Sequence, residues 1–318
     1  MSGLRSEVLD WFDSGRVAEG RERDVLRAAG ITPSPADWRA FLGQLTLWLG
    51  TIALAAAVIF FFAFNWADLG RYAKFGLVEA GIVAGLLACW GVDLDGMAGK
   101  AMLLLLSLLA GALLALTGQI YQTGADTWQL FAWWAVLILP WVLVGHFSPL
   151  WLLWLALLNL AAFLYFQIGW ELEGLLWALF GLNSLALIGW EAAHRMGVAW
   201  LRDDWPPRLV AIGSGVFATS LMVWAVMGGG DRVASTALAV LAYLAWLAAF
   251  YLWYRRRRPD LFMLAGAVLS LIVATVAFLS RNMFESESGS FLLIGLVVIG
   301  MSAGGAIWLK SVGREPRA

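Results

Sequence analysis

The stretch Phe60–Glu79, FFFAFNWADLGRYAKFGLVE, decides how this chain is read. An apolar run closes on a polar Asn65 and on Trp66, whose indole suits a membrane–water boundary. A short charged turn follows, with Asp68, Arg71 and Lys74. The chain then enters a second apolar run that carries a carboxylate, Glu79, about one helical turn inside. An apolar run, a wet turn and another apolar run form the pattern of a chain that leaves a bilayer and re-enters it.

Composition extends that reading to the whole chain. Of 318 residues, 62% are hydrophobic and 14% charged, whereas a soluble domain carries about 25% charged residues. Mean hydropathy is +0.79. The 20 tryptophans fit a chain with many crossings of the interface. A net charge of −1, with no basic patch interleaved with aromatics, gives no reason to expect a nucleic-acid partner. Cys89 is the single cysteine, so an internal disulfide is excluded. Residues 1–43 are charged and lack the apolar region of a cleavable signal, so the first apolar run is expected to act as an uncleaved anchor.

A helix needs about 20 apolar residues to cross the hydrocarbon core. That ruler gives ten candidates: 44–64, 75–91, 101–119, 128–146, 149–167, 174–191, 208–227, 233–254, 261–279 and 290–309. The fourth and fifth are separated by His146-Phe147-Ser148-Pro149, because proline disfavours helix at the residue before it. The expected fold is therefore all-α: a polytopic membrane bundle of about ten transmembrane helices with a short amphipathic head. The expected divisions are a cytosolic head over 1–43, a membrane domain over 44–147, further membrane helices over 148–310 and a cytosolic tail over 311–318. With both termini in the cytoplasm, only Arg71, Lys74, Arg232 and Arg281 of the 21 basic residues face outward. The rest, including Arg255-Arg256-Arg257-Arg258, face inward, as the resistance of positive loops to translocation requires.

In the head, Leu4, Val8, Leu9 and Phe12 recur at helical spacing, and a second helix is expected over Glu19–Ala29 with Gly30 as its C-terminal cap. Ser34-Pro35-Ala36-Asp37 reads as a helix start, with serine as N-cap, proline at the first position and an acid three residues after the cap. The helix it opens, carrying Trp38 and Phe41, is expected to lead into the first span. The head is read first as an amphipathic hairpin on the membrane or against the bundle, and second as a docking element for a cytosolic partner.

Polar groups inside a membrane are costly, and so they point to function. In this topology Glu79 lies about 7 Å below the outer boundary. The third span rises to the same face and ends in Gln119-Ile120-Tyr121-Gln122-Thr123-Gly124-Ala125-Asp126. Asn65, Glu79, Gln119, Tyr121, Gln122 and Asp126 are the candidates for a ligand or proton site. The competing reading pairs Glu79 with Arg71 or Lys74, or leaves it in interfacial water. Asn159 and Asn183 both fall near the bilayer centre on consecutive antiparallel spans, where two amides can hold helices together. Gly81-x-x-x-Gly85, Gly300-x-x-x-Gly304 and Gly213 with Gly215 permit close helix approach, and Pro140 is expected to kink the fourth span. Glu191-x-x-His194 has the spacing of bundle metal sites, but those sites use two such motifs and here there is one, so no metal is assigned. There is no Ser-His-Asp order, phosphate-binding glycine loop, zinc signature or CxxC, so no catalytic residue or cofactor is assigned either.

FFFAFNW, the following KFGLVEAG, and GQIYQTGADTWQLF with LPW resemble a bacterial membrane-protein family known as domain of unknown function 2157. The resemblance covers roughly residues 1–145, including Trp38-x-x-Phe41 in the head. It implies an inner-membrane location, and it implies that Asn65, Trp66, Glu79 and Gln119 to Gln122 belong to the family's motif. It carries no activity, substrate or cofactor. Three functions remain open: a structural or assembly component of the cell envelope with the bilayer and another membrane or envelope protein as partners; a transporter or proton-coupled permease using the cluster around Glu79; and a membrane enzyme on lipid-linked substrates, with Glu79 or Asp126 as general acid or base.

Overall fold

The computed structural model describes residues 8, 11–12, 14–18, 20–29, 32–64, 70–121, 124–201, 203–228, 233–283 and 289–314. Every long element among them is a helix, and no strand occurs among the described residues. The helices are α1 (Glu22–Ala28), α2 (Pro35–Phe64), α3 (Arg71–Gly91), α4 (Met97–Tyr121), α5 (Thr127–Val144), α6 (Ser148–Gly169), α7 (Leu172–Arg195), α8 (Trp205–Val226), α9 (Val233–Leu252), α10 (Leu261–Met283) and α11 (Gly289–Arg314). Among the described residues nine helices, α3 to α11, are long and apolar enough to cross a membrane. The chain is a polytopic helix bundle. Each of those nine holds one span expected from the sequence, and the first expected span, 44–64, is the C-terminal part of the 30-residue α2. No charged residue occurs in α2 after Arg39.

The helix ends follow local chemistry. Ser34 N donates to Asp37 Oδ2 at 2.7 Å and Asp37 N donates to Ser34 Oγ at 3.2 Å, so both bonds of the capping box open α2. Helix α1 starts at Glu22, two residues after Gly20 at φ +89°, and its C-cap is Ala29. Gly30, Glu19, Leu4 and Leu9 lie outside the described residues. Helix α5 stops at Val144, because His146 takes φ +41° before Ser148-Pro149 starts α6. Trp170, at φ +55°, caps α6 and lets α7 begin two residues later. Pro140 sits inside α5 without ending it, and Trp154 Nε1 of α6 donates to the Ala135 carbonyl in the turn before the proline, at 3.1 Å.

The chain forms two compact units, Met1–Leu113 and Leu114–Ala318, whose boundary falls within α4. In the first, α3 packs on α4 through Gly81 and Gly85. A Cβ at Gly85 would lie 2.7 Å from Leu106 Cδ2, so the missing side chain admits the fully buried leucine.

The second unit is built around α8, which packs against α6, α7, α9 and α10. Its centre holds Val210, Ala218, Leu221, Tyr243 and Leu264. Helix α11 packs on α10, where a Cβ at Gly305 would lie 2.7 Å from Val268 Cγ1. A Cβ at Gly300 or Gly304 would meet nothing within 4 Å among the described residues, so that small-residue pair faces open space there. Large apolar residues such as Leu185, Ile188, Leu241 and Leu296 stand exposed on the helices, as expected of surfaces solvated by lipid tails.

Candidate functional site

The residues expected to form an outer polar cluster are divided between the two compact units or lie outside the described residues. Glu79 is exposed on α3 beside the buried Val78, and it has no hydrogen-bond or ion-pair partner among the described residues. Arg71 engages the Tyr72 hydroxyl at 2.9 Å and its ring at 4.7 Å, and Lys74 is buried. Gln119 and Tyr121 are exposed at the end of α4. Asp126 is exposed at the N-cap of α5 and makes no side-chain cap bond. Asn65 and Gln122 lie outside the described residues. Glu79 belongs to the first compact unit, and Gln119, Tyr121 and Asp126 to the second.

Asn159 and Asn183 are brought together. Asn183 Nδ2 donates to Asn159 Oδ1 at 2.6 Å, and each Nδ2 also donates to the carbonyl one turn earlier, Leu155 and Leu179, at 2.8 Å. Gly213 of α8 makes room for this pair: a Cβ there would stand 2.8 Å from Asn183 Oδ1. The small residue and the two amides therefore bind α6, α7 and α8 into one contact.

Two hydroxyl clusters continue the polar layer across the unit, and the sequence reading missed both. Ser184 Oγ and Ser214 Oγ are 2.9 Å apart, and Trp246 Nε1 donates to Ser214 Oγ at 2.9 Å, tying α7, α8 and α9. Ser270 Oγ lies 2.7 Å from Thr219 Oγ1 and 3.0 Å from Tyr243 Oη, tying α8, α9 and α10. Their one sequence signal was depth: all are near the middle of their helices, at the level where lipid offers no hydrogen bond. Serine and threonine can also satisfy themselves on their own helix, as Thr219 does on the Gly215 carbonyl at 2.6 Å, so depth alone did not single them out.

One end of the second unit carries a charged clasp. Glu191, buried in the last turns of α7, accepts from Arg258 Nη1 at 3.0 and 3.2 Å, from Tyr254 Oη at 3.0 Å and from Trp253 Nε1 at 3.3 Å. Arg258 Nη2 also engages Asp204 at the start of α8. A carboxylate near a helix C-terminus opposes the helix dipole, and this set of donors compensates it. The donors converge because Trp253–Arg257 form a π-helical turn, which swings Tyr254 and Arg258 towards α7. Burial by itself would lower the Arg258 guanidinium, but the adjacent Glu191 and Asp204 carboxylates outweigh it and hold the group above its ordinary range. Arg208 pairs with Asp260 at 3.0 Å on the same end, and Arg195 lies over the Trp253 ring at 3.8 Å.

His194, three residues after Glu191, places Nδ1 2.9 Å from the Leu201 carbonyl, which accepts from it. Glu191 is thus engaged by Arg258 and Tyr254, and no group of three metal-ligating side chains occurs among the described residues. His146 packs against Trp200, which also stacks on Trp151. At the opposite end of the unit, Arg281 Nη1 donates to the Val226 carbonyl, joining the ends of α10 and α8. The α7–α10 segment therefore threads up and down, with its basic-rich loops at one end.

Residues 9–151 match the family described as "Predicted membrane protein (DUF2157)", which covers the segments that carry the resemblance seen in the sequence. No curated protein and no solved structure matches the chain.

Proposed function

We propose that this chain is a multi-pass protein of the bacterial inner membrane, with both termini cytoplasmic, that serves as a structural or assembly component of the cell envelope. The observation that carries the reading is the engagement of the mid-helix polar groups with one another. Asn159 with Asn183, Ser214 with Ser184 and Trp246, and Ser270 with Thr219 and Tyr243 all join neighbouring helices. A transporter more often presents such groups to a substrate at the midplane. The test is purification from native membranes with identification of co-purifying proteins and lipids. A recurrent protein partner is the expected result, and repeated recovery of the chain alone counts against an assembly role. Orientation is tested separately with a reporter active only outside the cytoplasm, which is expected to be silent when fused after Arg258.

A second reading rests on Glu79. An exposed carboxylate on a membrane-length helix, without a described partner, suits a titrating group of a proton-coupled permease. Glu79→Gln discriminates: loss of a proton-dependent flux with normal membrane insertion favours the permease, and an unchanged phenotype favours the assembly role.

A further inference from the structure

Between α8 and α10 a crevice of about 1000 Å³ runs along the second unit, from Phe262 and Met263 at one end to Met227 and Gly228 at the other. From Ile212 to Met227 it follows α8 for about 22 Å, most of the roughly 30 Å thickness of a hydrocarbon core. Its walls are largely apolar, with Ile212, Val216 and Val223 on one side and Leu269 and Val273 on the other, and Thr219, Ser220 and Ser270 are the hydroxyl side chains among them. Gly266 leaves part of the α10 wall bare, since a Cβ there would meet nothing within 4 Å among the described residues. Two features separate this crevice from an ordinary lipid-facing groove. Ser220, which has no hydrogen-bond partner among the described residues, lines it near its middle. At the Gly228 end stands the Arg281 guanidinium, with Nη2 3.8 Å from where a Gly228 Cβ would be. Among the described residues, Nη1 donates to the Val226 carbonyl, which takes one of the five N–H donors of the guanidinium.

We propose that this crevice holds one acyl chain of an anionic phospholipid, phosphatidylglycerol, whose phosphate sits on Arg281. The apolar channel has the length of an acyl chain together with its glycerol linkage, and guanidinium is the side chain best matched to a phosphate. A glycine at the mouth lets the headgroup approach the end of α8. The inference is independent of whether the protein assembles an envelope complex or transports, because it concerns a lipid held by the fold.

The test uses the full chain reconstituted in phosphatidylcholine vesicles. These contain a small fraction of phosphatidylglycerol, or in a parallel arm phosphatidylcholine, carrying the same mid-chain photoreactive group. Crosslinks are mapped by peptide mass spectrometry. Phosphatidylglycerol is expected to label the walls around Val216, Ser220 and Leu269 at least threefold more than phosphatidylcholine does. Arg281→Gln is expected to abolish that preference and Arg281→Lys to restore part of it. Gly266→Leu, which grows into open space, is expected to remove crevice labelling with either lipid while leaving labels near the exposed Leu185 and Ile188 unchanged. Equal labelling by the two lipids in the unaltered chain overturns the proposal, as does crevice labelling that survives Gly266→Leu. Displacement of the label by a long polyprenyl phosphate but not by excess phosphatidylglycerol also overturns it, in favour of an isoprenoid occupant.

Discussion

Arg258, the last of four consecutive arginines, turns inward and forms a two-pronged contact with the buried Glu191, its Nη1 3.0 Å from Oε1 and 3.2 Å from Oε2. The partners lie on α7 and just beyond α9, so the pair closes one end of the second unit. Removing one partner of a buried pair strands the other, at a cost of about 3–5 kcal/mol, whereas replacing both by apolar residues is far milder. The partial exposure of Arg258 puts the expected cost near the lower end. Glu191→Ala and Arg258→Ala should each lower the unfolding free energy in detergent by about 3 kcal/mol. The double variant Glu191→Met/Arg258→Met should recover at least half of that loss.

Tyr254→Phe probes the same clasp more gently. It removes the hydroxyl that donates to Glu191 and leaves the ring packed on Phe250. A hydrogen bond to a charged group contributes about 1.5–3 kcal/mol, so a loss within that interval is expected in a denaturation experiment. In an Arg258→Ala background the loss should grow, because Tyr254 then becomes a principal donor left to the carboxylate.

The contact of Gly213 with the asparagine pair predicts a specific coupling. Gly213→Ala drives a methyl to within 2.8 Å of Asn183 Oδ1 and forces that amide out of its bond with Asn159. Interhelical hydrogen bonds of this kind average about 0.6 kcal/mol and reach about 1.7. Asn183→Ala alone should therefore cost modestly. Combined with Gly213→Ala it should cost less than the two single losses together, since the alanine at 183 removes the atom the new methyl strikes. A double-mutant cycle on thermal unfolding checks this.

The fold was legible because its main signal is coarse. Apolar runs of membrane length, broken by Ser148-Pro149 or by charged turns, located the helices, and the Ser34–Asp37 box marked where α2 begins. Depth counting along consecutive spans also put Asn159 and Asn183 at one level, and they meet. What stayed hidden depended on rotation about the helix axis. Hydropathy does not say which face of α7 carries Glu191, and the π-helical turn that aims Arg258 at it has no signature in a run of arginines. The same blindness leaves Gly300 and Gly304, which face open space among the described residues, indistinguishable in sequence from Gly305, the glycine against Val268.

The capping box at the head of α2 gives a pH-dependent outcome. Bonds from the Ser34 backbone and hydroxyl hold the Asp37 carboxyl below its ordinary range. A depressed carboxylate contributes stability that is fully present above its unfolded value and is lost as pH falls through its folded value. Hydrogen exchange at the amides opening α2 should therefore be independent of the box's protonation near neutral pH, once the intrinsic rate is corrected. It should show falling protection as pH drops below the ordinary carboxylate range. Asp37→Asn should weaken protection at neutral pH and remove the acid-side change. Protection that falls on raising pH instead would contradict the sign.

Gly85 and Gly304 provide a matched pair for asking which small-residue contacts hold this chain together. A side chain at Gly85 must displace Leu106, which is fully buried, and it also meets Met102 Sδ at 3.5 Å. Alanine there presses on the isobutyl end of Leu106, with Cδ2 at 2.7 Å and Cγ at 3.3 Å and no backbone atom in the way, so a small loss is expected. Isoleucine adds branched bulk at the same point, where overpacking costs about 1–3 kcal/mol, and it should separate α3 from α4. At Gly304 a Cβ would meet nothing within 4 Å among the described residues, so alanine or isoleucine should leave the unfolding of the isolated chain unchanged. Thermal unfolding of the four variants in detergent, with cysteine crosslinking across α3 and α4 as the structural readout, separates the two positions. A loss at Gly304 equal to that at Gly85 would show that α11 has a neighbour beyond α10, and chain-to-chain crosslinking at 304 would then identify it as a second copy.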